Sequence, residues 1–285
     1  MAEIEHCRFD SWPAQVASIL SSAPSVTWAE SRDQLVRLAL NGSDGDKYEV
    51  AFDVKGRGRV VEAEVVRCKN GLAVNYTDPY MRRRDPGCMV VADELPTDKP
   101  TFLERFGYPF DDLSDEIHQW LASQDLVVLA FHAGGHSFGY GGILLAPKQA
   151  AFFAAGLSAL QTMIPASELP ADFSPRVIVY LAPPFRHTHC EGRQVVVHRR
   201  SPNLHEMFPL NLYPGPSAKK GVYGALIHIG EQEGWTTLHG STVEVETPYD
   251  NLVTIMHEGA SGGGKSEMLE YPHREIDGRL LLGEN

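Results

Sequence analysis

The feature that most constrains the fold is a glycine-rich segment near the end of the 285-residue chain. The apolar stretch NLVTIMHE at 251–258 runs directly into GASGGGKS at 259–266, which has the spacing GxxxxGKS. In such a loop, successive backbone N–H groups converge on phosphate oxygens, and the following helix adds its positive end. The pattern therefore predicts a strand, a phosphate-binding loop and a helix beginning in SEMLEY at 266–271.

Each residue type in this loop has a separate task. The glycines allow the backbone to approach the phosphates, the lysine reaches the outer phosphates, and the serine hydroxyl ligates Mg²⁺. We therefore expect ATP and Mg²⁺ to bind here; the predicted contacts are Gly259, Ser261, Gly262, Gly263, Gly264, Lys265 and Ser266. A flexible glycine-rich loop without a ligand is the alternative interpretation.

Composition and charge exclude several partners. The 25 Lys and Arg residues against 37 Asp and Glu give a net charge of −12, which disfavours nonspecific binding to nucleic acid or anionic lipid. No apolar run reaches the roughly 20 residues of a membrane helix, and the first residues lack a signal-peptide layout, so we expect a cytoplasmic protein. The cysteines lie far apart and are expected to be free thiols: Cys7, Cys68, Cys88 and Cys190.

Hydrophobic patterning predicts an α/β fold with mixed sheets. Two helices are expected in the first 50 residues, the second beginning after an N-cap at Ser31 and ending at Asn41-Gly42. YEVAFDV and GRVVEAEVVR alternate as strands do, whereas 125–147 contains two buried strands and 148–164 an apolar helix. A shift towards Gly, Pro and Lys predicts a domain boundary near residue 200.

The segments before the glycine-rich loop suggest a family. PSAKKGVYGALIH contains Lys219 and Lys220, and GWTTLHGSTVEV contains His239. Together with the loop, they resemble the ATP-dependent phosphoenolpyruvate carboxykinases and the related HPr kinase/phosphorylases, over most of 75–285 and most strongly from Tyr213 onward. The resemblance implies a carboxykinase-like N-terminal mixed-sheet domain at 1–200 and the first part of a P-loop nucleotide-binding domain at 201–285.

The resemblance also implies roles for individual residues. Lys220 and His239 match ligands of a catalytic Mn²⁺, Lys265 and Ser266 match contacts to the triphosphate and Mg²⁺, and Arg84 matches an arginine that binds the carboxylate substrate. Tyr213 would join Arg84 at the substrate, and the catalytic residues would be Arg84, Lys220 and Lys265. Neutralising an ordinary lysine at pH 7 costs about 5 kcal/mol, so Lys220 needs help, which the positive charge of Lys219 supplies.

Simpler interpretations of these residues stay open. Arg84 lies in the basic run Arg82 to Arg84, between Pro79 and Pro86, and the lysine pair could be a solvated turn. His239 could be an ordinary histidine at a strand end. The histidines of RHTHC at 186–190 and of FHAGGH at 131–136 have no recognised metal-ligand spacing, and we interpret them as loop and core residues. The resemblance to a Trp-His segment of the carboxykinases implies that His136 borders the substrate cleft.

The activity implied by the resemblance is conversion of oxaloacetate and ATP to phosphoenolpyruvate, CO₂ and ADP. GKSE at 264–267 is closer to the HPr kinases, so a protein or small-molecule kinase is an alternative, and an inactive nucleotide-binding module is another. Glu284 would supply one metal-binding carboxylate, with Asn285 where a second is expected. By the resemblance, the adenine pocket and the activating arginine would follow residue 285, in the remainder of a longer chain or in a complementing subunit.

Overall fold

The structure is a computed structural model that describes residues 12–42, 45–134, 139–213, 219–246, 249, 251–259, 263–265, 273–274 and 280–281. Two compact units divide the chain: the first unit is Met1–Gln232 and the second unit is Glu233–Asn285. Both contain strands, and the first also contains helices on the two faces of a mixed sheet. The expected mixed α/β fold is confirmed.

The described helices all lie in the first unit: α1 Ala14–Ser22, α2 Arg32–Ala39, α3 Phe102–Phe106, α4 Asp111–Ala122, α5 Ala151–Ser158, α6 Phe185–His189 and α7 Gly221–Gln232. The strands of the first unit are β1 Val26–Trp28, β2 Lys47–Val54, β3 Gly58–Cys68, β4 Gly71–Tyr76, β5 Met89–Val91, β6 Leu126–Ala133, β7 Tyr140–Pro147, β8 Thr162–Ile164, β9 Val177–Tyr180, β10 Val196–Ser201 and β11 Leu204–Pro209. The strands of the second unit are β12 Gly240–Glu246, β13 Leu252–Glu258, β14 His273–Arg274 and β15 Leu280–Leu281.

The central sheet of the first unit is mixed, with eight strands in the order β1-β6-β7-β9-β11-β10-β5, and β8 also pairs with β6. The β6–β7, β6–β8 and β10–β11 pairs are antiparallel, whereas β1–β6, β7–β9, β9–β11 and β5–β10 are parallel. Strands β2, β3 and β4 form a separate antiparallel sheet. In the second unit, β12 pairs with β13 and β14 with β15, both antiparallel.

Both faces of the central sheet are buried, which explains the nearly continuous apolar runs in β6, β7 and β9. In β6, β7 and β9, alternate residues belong to two different core clusters. One cluster packs the sheet against α2, α5, α7 and the β2–β3 hairpin, and the other packs it against α1 and α4. In β6 the first cluster takes Val127, Leu129 and Phe131, and the second takes Leu126, Val128 and Ala130.

Local signals explain the ends of α2. The Ser31 side chain accepts a hydrogen bond from the Gln34 amide (3.2 Å), which satisfies a backbone donor that the first helical turn leaves free. After the helix, Asn41 and Gly42 adopt positive φ angles of 57° and 65°. These are the left-handed conformations that commonly end helices. The predicted limits of this helix are therefore confirmed.

The apolar helix expected over 148–164 is shorter in the structure. A 3₁₀ turn occupies Lys148–Ala150, α5 ends at Ser158, and the last three residues of the segment form β8. Ile164 pairs with Ala130 of β6, so the sheet edge offers backbone hydrogen bonds that compete with a longer helix. Tertiary pairing thus overrides the local helical pattern.

The boundary between the two compact units lies after Gln232, whereas the change in composition predicted a boundary near residue 200. Residues 200 and 201 lie at the end of β10, next to a tight turn that leads back into β11. This hairpin belongs to the central sheet, so the first unit continues through α7 to Gln232.

Two expectations from composition can be compared with the structure. Cys68, Cys88 and Cys190 are free cysteines, as expected, and Cys7 lies outside the described residues. Among the residues that the structure describes, no helix is both long enough and apolar enough to cross a bilayer.

A half-buried histidine makes the stability of the first unit depend on pH. His118 of α4 lies against the rings of Tyr180 (4.8 Å between centroids) and Phe208, and burial lowers its pKa from 6.5 to about 4. Because the unfolded chain binds this proton at a higher pH than the folded one, stability falls as the pH drops from 6.5 towards 4. At pH 5 the loss is about 2 kcal/mol.

We expect His118→Phe to flatten this acid limb, since phenylalanine suits the aromatic surroundings and carries no titrating group. The measurement is urea unfolding at pH 7.5 and pH 5, where the variant should lose about 2 kcal/mol less than the wild type. Gln119→Ala, at the neighbouring exposed position, should keep the wild-type profile. An equal acid loss in His118→Phe and the wild type would contradict this assignment.

Candidate functional site

The glycine-rich loop of the second unit begins where β13 ends. The strand expected from NLVTIMHE is confirmed, running from Leu252 to Glu258. Beyond it, the Lys265 Nζ donates a hydrogen bond to the Gly259 carbonyl (2.7 Å). This contact joins the first and seventh residues of the motif. Gly264 adopts a φ of 80°, a conformation that strains residues with a side chain.

Strand β12 places His239 beside this loop. The Gly259 amide donates to the His239 carbonyl (3.4 Å), and Gly240 pairs with Glu258. A Cβ on Gly240 would lie only 3.0 Å from the His257 carbonyl oxygen, so the two strands approach closely because this position is glycine. The resemblance identified His239, 20 residues before the motif, as a metal ligand. The structure places the backbone of His239 next to the first residue of the loop.

A second contact fixes the far end of the loop to β12. The Ser241 hydroxyl donates to the Lys265 carbonyl (3.2 Å), so β12 contacts the loop on both sides of its glycine run. Gly263 is exposed, and Lys265 is half-buried. The other predicted members of this site, together with the helix expected in 266–271, lie outside the described residues: Ser261, Gly262, Ser266 and Glu284.

In the first unit, a buried glutamine fixes the backbone of the arginine-containing loop. Gln194 is fully buried, and its Nε2 donates to the carbonyls of Tyr80 (2.9 Å) and Arg83 (2.7 Å), while its Oε1 accepts from the Asp85 amide (3.1 Å). Because a buried amide without partners is costly, these three bonds hold the loop firmly. The segment predicted as a loop thus has a defined backbone, with a 3₁₀ turn at Pro79–Arg82.

This rigid loop exposes the arginine predicted to bind substrate. Arg83 and Arg84 are exposed, and within the described residues neither side chain forms a hydrogen bond or an ion pair. Arg82 differs, because its Nε donates to the Tyr76 carbonyl (3.0 Å). Arg83 and Arg84 are therefore the two guanidinium groups of the run with all their hydrogen-bond donors available to an anion, whereas Arg82 has its Nε engaged.

Tyr213 lies close to the same loop. The Tyr76 ring packs edge-on against Tyr213, with 5.9 Å between the centroids, and the Tyr76 hydroxyl donates to the Leu212 carbonyl (2.8 Å). Since the Tyr76 carbonyl also binds Arg82, this one tyrosine connects the arginine-containing loop to the segment that carries Tyr213. The structure therefore brings the two predicted substrate-binding segments together within the first unit.

Neighbouring polar groups in this loop are also paired. The Tyr80 hydroxyl donates to the Asp85 carboxylate, and Asp85 accepts a further bond from the Gly87 amide (2.8 Å). Burial and this pairing with Asp85 raise the pKa of Tyr80. Burial alone would raise the pKa of Asp85, but the bonds from Tyr80 and Gly87, with the charge of Arg105, lower it. The carboxylate is therefore ionised and restrained, so it stabilises the loop.

The predicted Mn²⁺ ligands belong to different units. Lys219 and Lys220 are exposed immediately before α7 in the first unit, whereas His239 lies in the second. The proposed pairing of Lys220 with His239 thus stays a prediction. In the part of the chain that the structure describes, no group of three or more His, Cys, Asp or Glu side chains is arranged to hold a metal ion.

The other histidines singled out in the sequence have structural settings. His132 is a half-buried residue of β6, and His136 lies outside the described residues. In α6, the Thr188 hydroxyl lies 2.8 Å from the His189 Nδ1, and His187 contacts the buried Glu62. His132 is thus a strand residue, whereas His187 and His189 lie in helix α6 and not in the loop that was expected for them.

Sequence reasoning missed Glu62 and Gln194. Glu62 is 2% exposed because it is the extra residue of a β-bulge: Val61 and Ala63 of β3 pair with the consecutive residues Ala51 and Val50 of β2. A bulge changes the direction of a side chain, so alternation alone could not place Glu62. No pattern in the sequence marks Gln194, since its role depends on contacts about 110 residues away.

Comparison with known families places the chain in one of them. The family described as "Domain of unknown function (DUF4914)" matches residues 12–285. No curated protein matches the chain. Because the match spans nearly the whole sequence, including both compact units, the chain belongs to the DUF4914 family.

Proposed function

We propose that the chain binds ATP with Mg²⁺ at the 259–266 loop and takes part in phosphoryl transfer of the phosphoenolpyruvate carboxykinase type. The observation that carries the proposal is the geometry around Lys265: strand β13 ends immediately before Gly259, the Lys265 Nζ donates to the Gly259 carbonyl, and Gly264 has a left-handed conformation. A preceding strand and glycines with unusual backbone conformations are features of phosphate-binding loops, and the GxxxxGKS sequence supplies the matching residue types.

The lysine can exchange its partner when a triphosphate binds. Its Nζ lies 2.7 Å from a neutral carbonyl, and a phosphate oxygen is a stronger acceptor because the bond is then charge-assisted on both sides. Lys265 would thus neutralise charge that develops on the transferred phosphoryl group, and Ser266 would face Mg²⁺. His239 would offer a ring nitrogen of the kind that Mn²⁺ accepts, at the edge of the same loop.

The arginine-containing loop favours a carboxylate as the substrate. Its backbone is held by Gln194, and Arg84 is exposed, so a planar guanidinium can bind a carboxylate through two parallel hydrogen bonds. In the proposed reaction, the bond to the leaving carboxylate breaks and releases CO₂. The electron pair forms an enolate, whose oxygen attacks the γ-phosphorus while ADP leaves.

Two alternatives predict different products from the same nucleotide site. A kinase of the HPr kinase type would consume ATP with a hydroxyl acceptor and not with oxaloacetate. A nucleotide-binding module would bind ATP and consume none. Assays of ATP consumption with oxaloacetate, with a serine-containing protein acceptor and with neither, each with Mg²⁺ and Mn²⁺, separate the three.

The first test of the proposed function is the variant Lys265→Ala. Loss of a charge-assisted bond worth about 1.5–3 kcal/mol should weaken MgATP binding about 10- to 100-fold without unfolding the protein, because the side chain belongs to a loop. Calorimetric titration with MgATP measures the affinity, and circular dichroism checks the fold. Lys69→Ala, in the exposed turn between β3 and β4, is the matched control and should bind as the wild type does. Equal affinities in the two variants would exclude the P-loop interpretation.

The second test of the proposed function is the variant Arg84→Gln. Removing the guanidinium should weaken binding of oxalate, a stable dicarboxylate probe, about tenfold or more, while MgATP binding stays unchanged. The control is Arg37→Gln at an exposed position of α2, which should have no effect on either ligand. If oxalate binds Arg84→Gln as tightly as the control, Arg84 does not hold the substrate.

A further inference from the structure

Three histidines form a buried cluster between α7 and the central sheet. His198 of β10 and His205 of β11 are each 1% exposed, and His228 of α7 is 9% exposed. The His198 Nδ1 lies 2.7 Å from the His205 Nε2, and the ring centroids of His205 and His228 are 5.2 Å apart. The three imidazoles are therefore in contact one after another, from β10 through β11 to the helix.

Most ring nitrogens of this cluster lack hydrogen-bond partners. The contact between His198 and His205 uses a single proton, which one nitrogen donates and the other accepts. Within the part of the chain that the structure describes, the His205 Nδ1 and both ring nitrogens of His228 are buried without a partner. Burying an unpaired polar group is costly, and water would supply partners if α7 moved away. The docked position of α7 therefore deprives three ring nitrogens of hydration.

The charged groups around the cluster do not favour an additional proton. Two cations act on the histidines, Arg200 of β10 and Arg176 before β9, together with two anions, Asp93 after β5 and Glu231 of α7. Asp93 already binds Arg200 at 2.7 Å, and both side chains are largely buried. These four charges cancel, so an imidazolium in the docked cluster would find no excess of negative charge.

Burial keeps the three histidines neutral while α7 is docked. It lowers the pKa of His198 from 6.5 to about 3, and the positive charge of Arg200 adds to this effect. Burial also lowers the pKa of His205 well below 6.5, with a contribution from the other two histidines, and it lowers the pKa of His228. When α7 leaves, water reaches the rings and their pKa values return towards 6.5. Detachment of α7 therefore takes up protons, and acid favours it.

Helix α7 depends on its contacts with the sheet because it is intrinsically weak. Its sequence, GVYGALIHIGEQ, carries Gly224 and Gly230 in the interior, and glycine lowers helix propensity. A helix of this length is marginal in water without tertiary contacts. Gly224 lies over the cluster, since a Cβ on it would be 3.9 Å from the His198 Cε1. A change in the cluster therefore acts directly on the packing of α7.

We propose that α7 is an acid-released element: below about pH 6 the three histidines take up protons from solvent, and α7 detaches from the central sheet while the strands stay paired. A second proton between His198 and His205 would place two N–H groups against each other, which removes their hydrogen bond. Detachment breaks no strand pairing, because α7 is the final segment of the first unit. This inference does not rest on the proposed function.

The experiment is hydrogen exchange of the full chain at pH 7.5 and pH 5.5, with rates corrected for the intrinsic pH dependence of exchange. Each histidine that is freed to titrate near 6.5 raises the opening constant about tenfold between these pH values. We therefore expect the amides of α7 to exchange about 100- to 1,000-fold faster at pH 5.5, for two or three such histidines. The amides of β6 and β7 should stay more protected than those of α7 at both pH values.

Three variants locate the titrating groups. His205→Gln and His228→Leu each remove one of them, so each should reduce the acid acceleration of α7 by up to about tenfold. His118→Phe is the matched control, because His118 lies against Tyr180 and Phe208 of the core cluster that does not include α7, and it should keep the wild-type acceleration.

Three results would overturn the proposal. The first is exchange in α7 that does not accelerate at pH 5.5. The second is exchange in β6 and β7 that is as fast as in α7 at pH 5.5, since the first unit would then open as a whole. The third is an acceleration in both His205→Gln and His228→Leu that equals that of His118→Phe.

Discussion

The burial of both faces of β6, β7 and β9 is the constraint on which the first unit depends. Strands with two buried faces carry apolar residues at nearly every position, and each face needs its own covering layer. Helices α2, α5 and α7 cover one face, and α1 and α4 cover the other. The interior therefore offers little space for polar groups, and those that enter it must bring their own partners.

The functional candidates of the first unit follow from that requirement. Gln194 and Arg186 are buried polar side chains, and each satisfies its hydrogen bonds by binding loops at the edge of the core. Gln194 holds the arginine-containing loop, and Arg186 binds the buried Glu62 and the Gly192 carbonyl. Buried pairs of this kind contribute little net stability, but breaking one is costly, so they fix geometry.

The sequence predicts best where one local signal decides the structure. The Ser31 cap, the alternating β2 and β3, and the strand before the glycine-rich loop are such cases, and all are found. Prediction fails where distant segments compete: β8 takes the end of the expected helix because β6 offers it an edge. The bulge at Glu62 and the contacts of Gln194 depend on partners that the local sequence does not reveal.

The central claim is that the glycine-rich segment 259–266, in which Lys265 bonds to the Gly259 carbonyl, binds a nucleotide. The most direct test is hydrogen exchange at the backbone amides of residues 259–265 with and without MgATP, because these N–H groups would bond to phosphate oxygens. We predict slower exchange in this segment with MgATP, and a smaller effect with MgAMP, which lacks the outer phosphates. Exchange rates in 259–265 that do not change at saturating MgATP would contradict the claim.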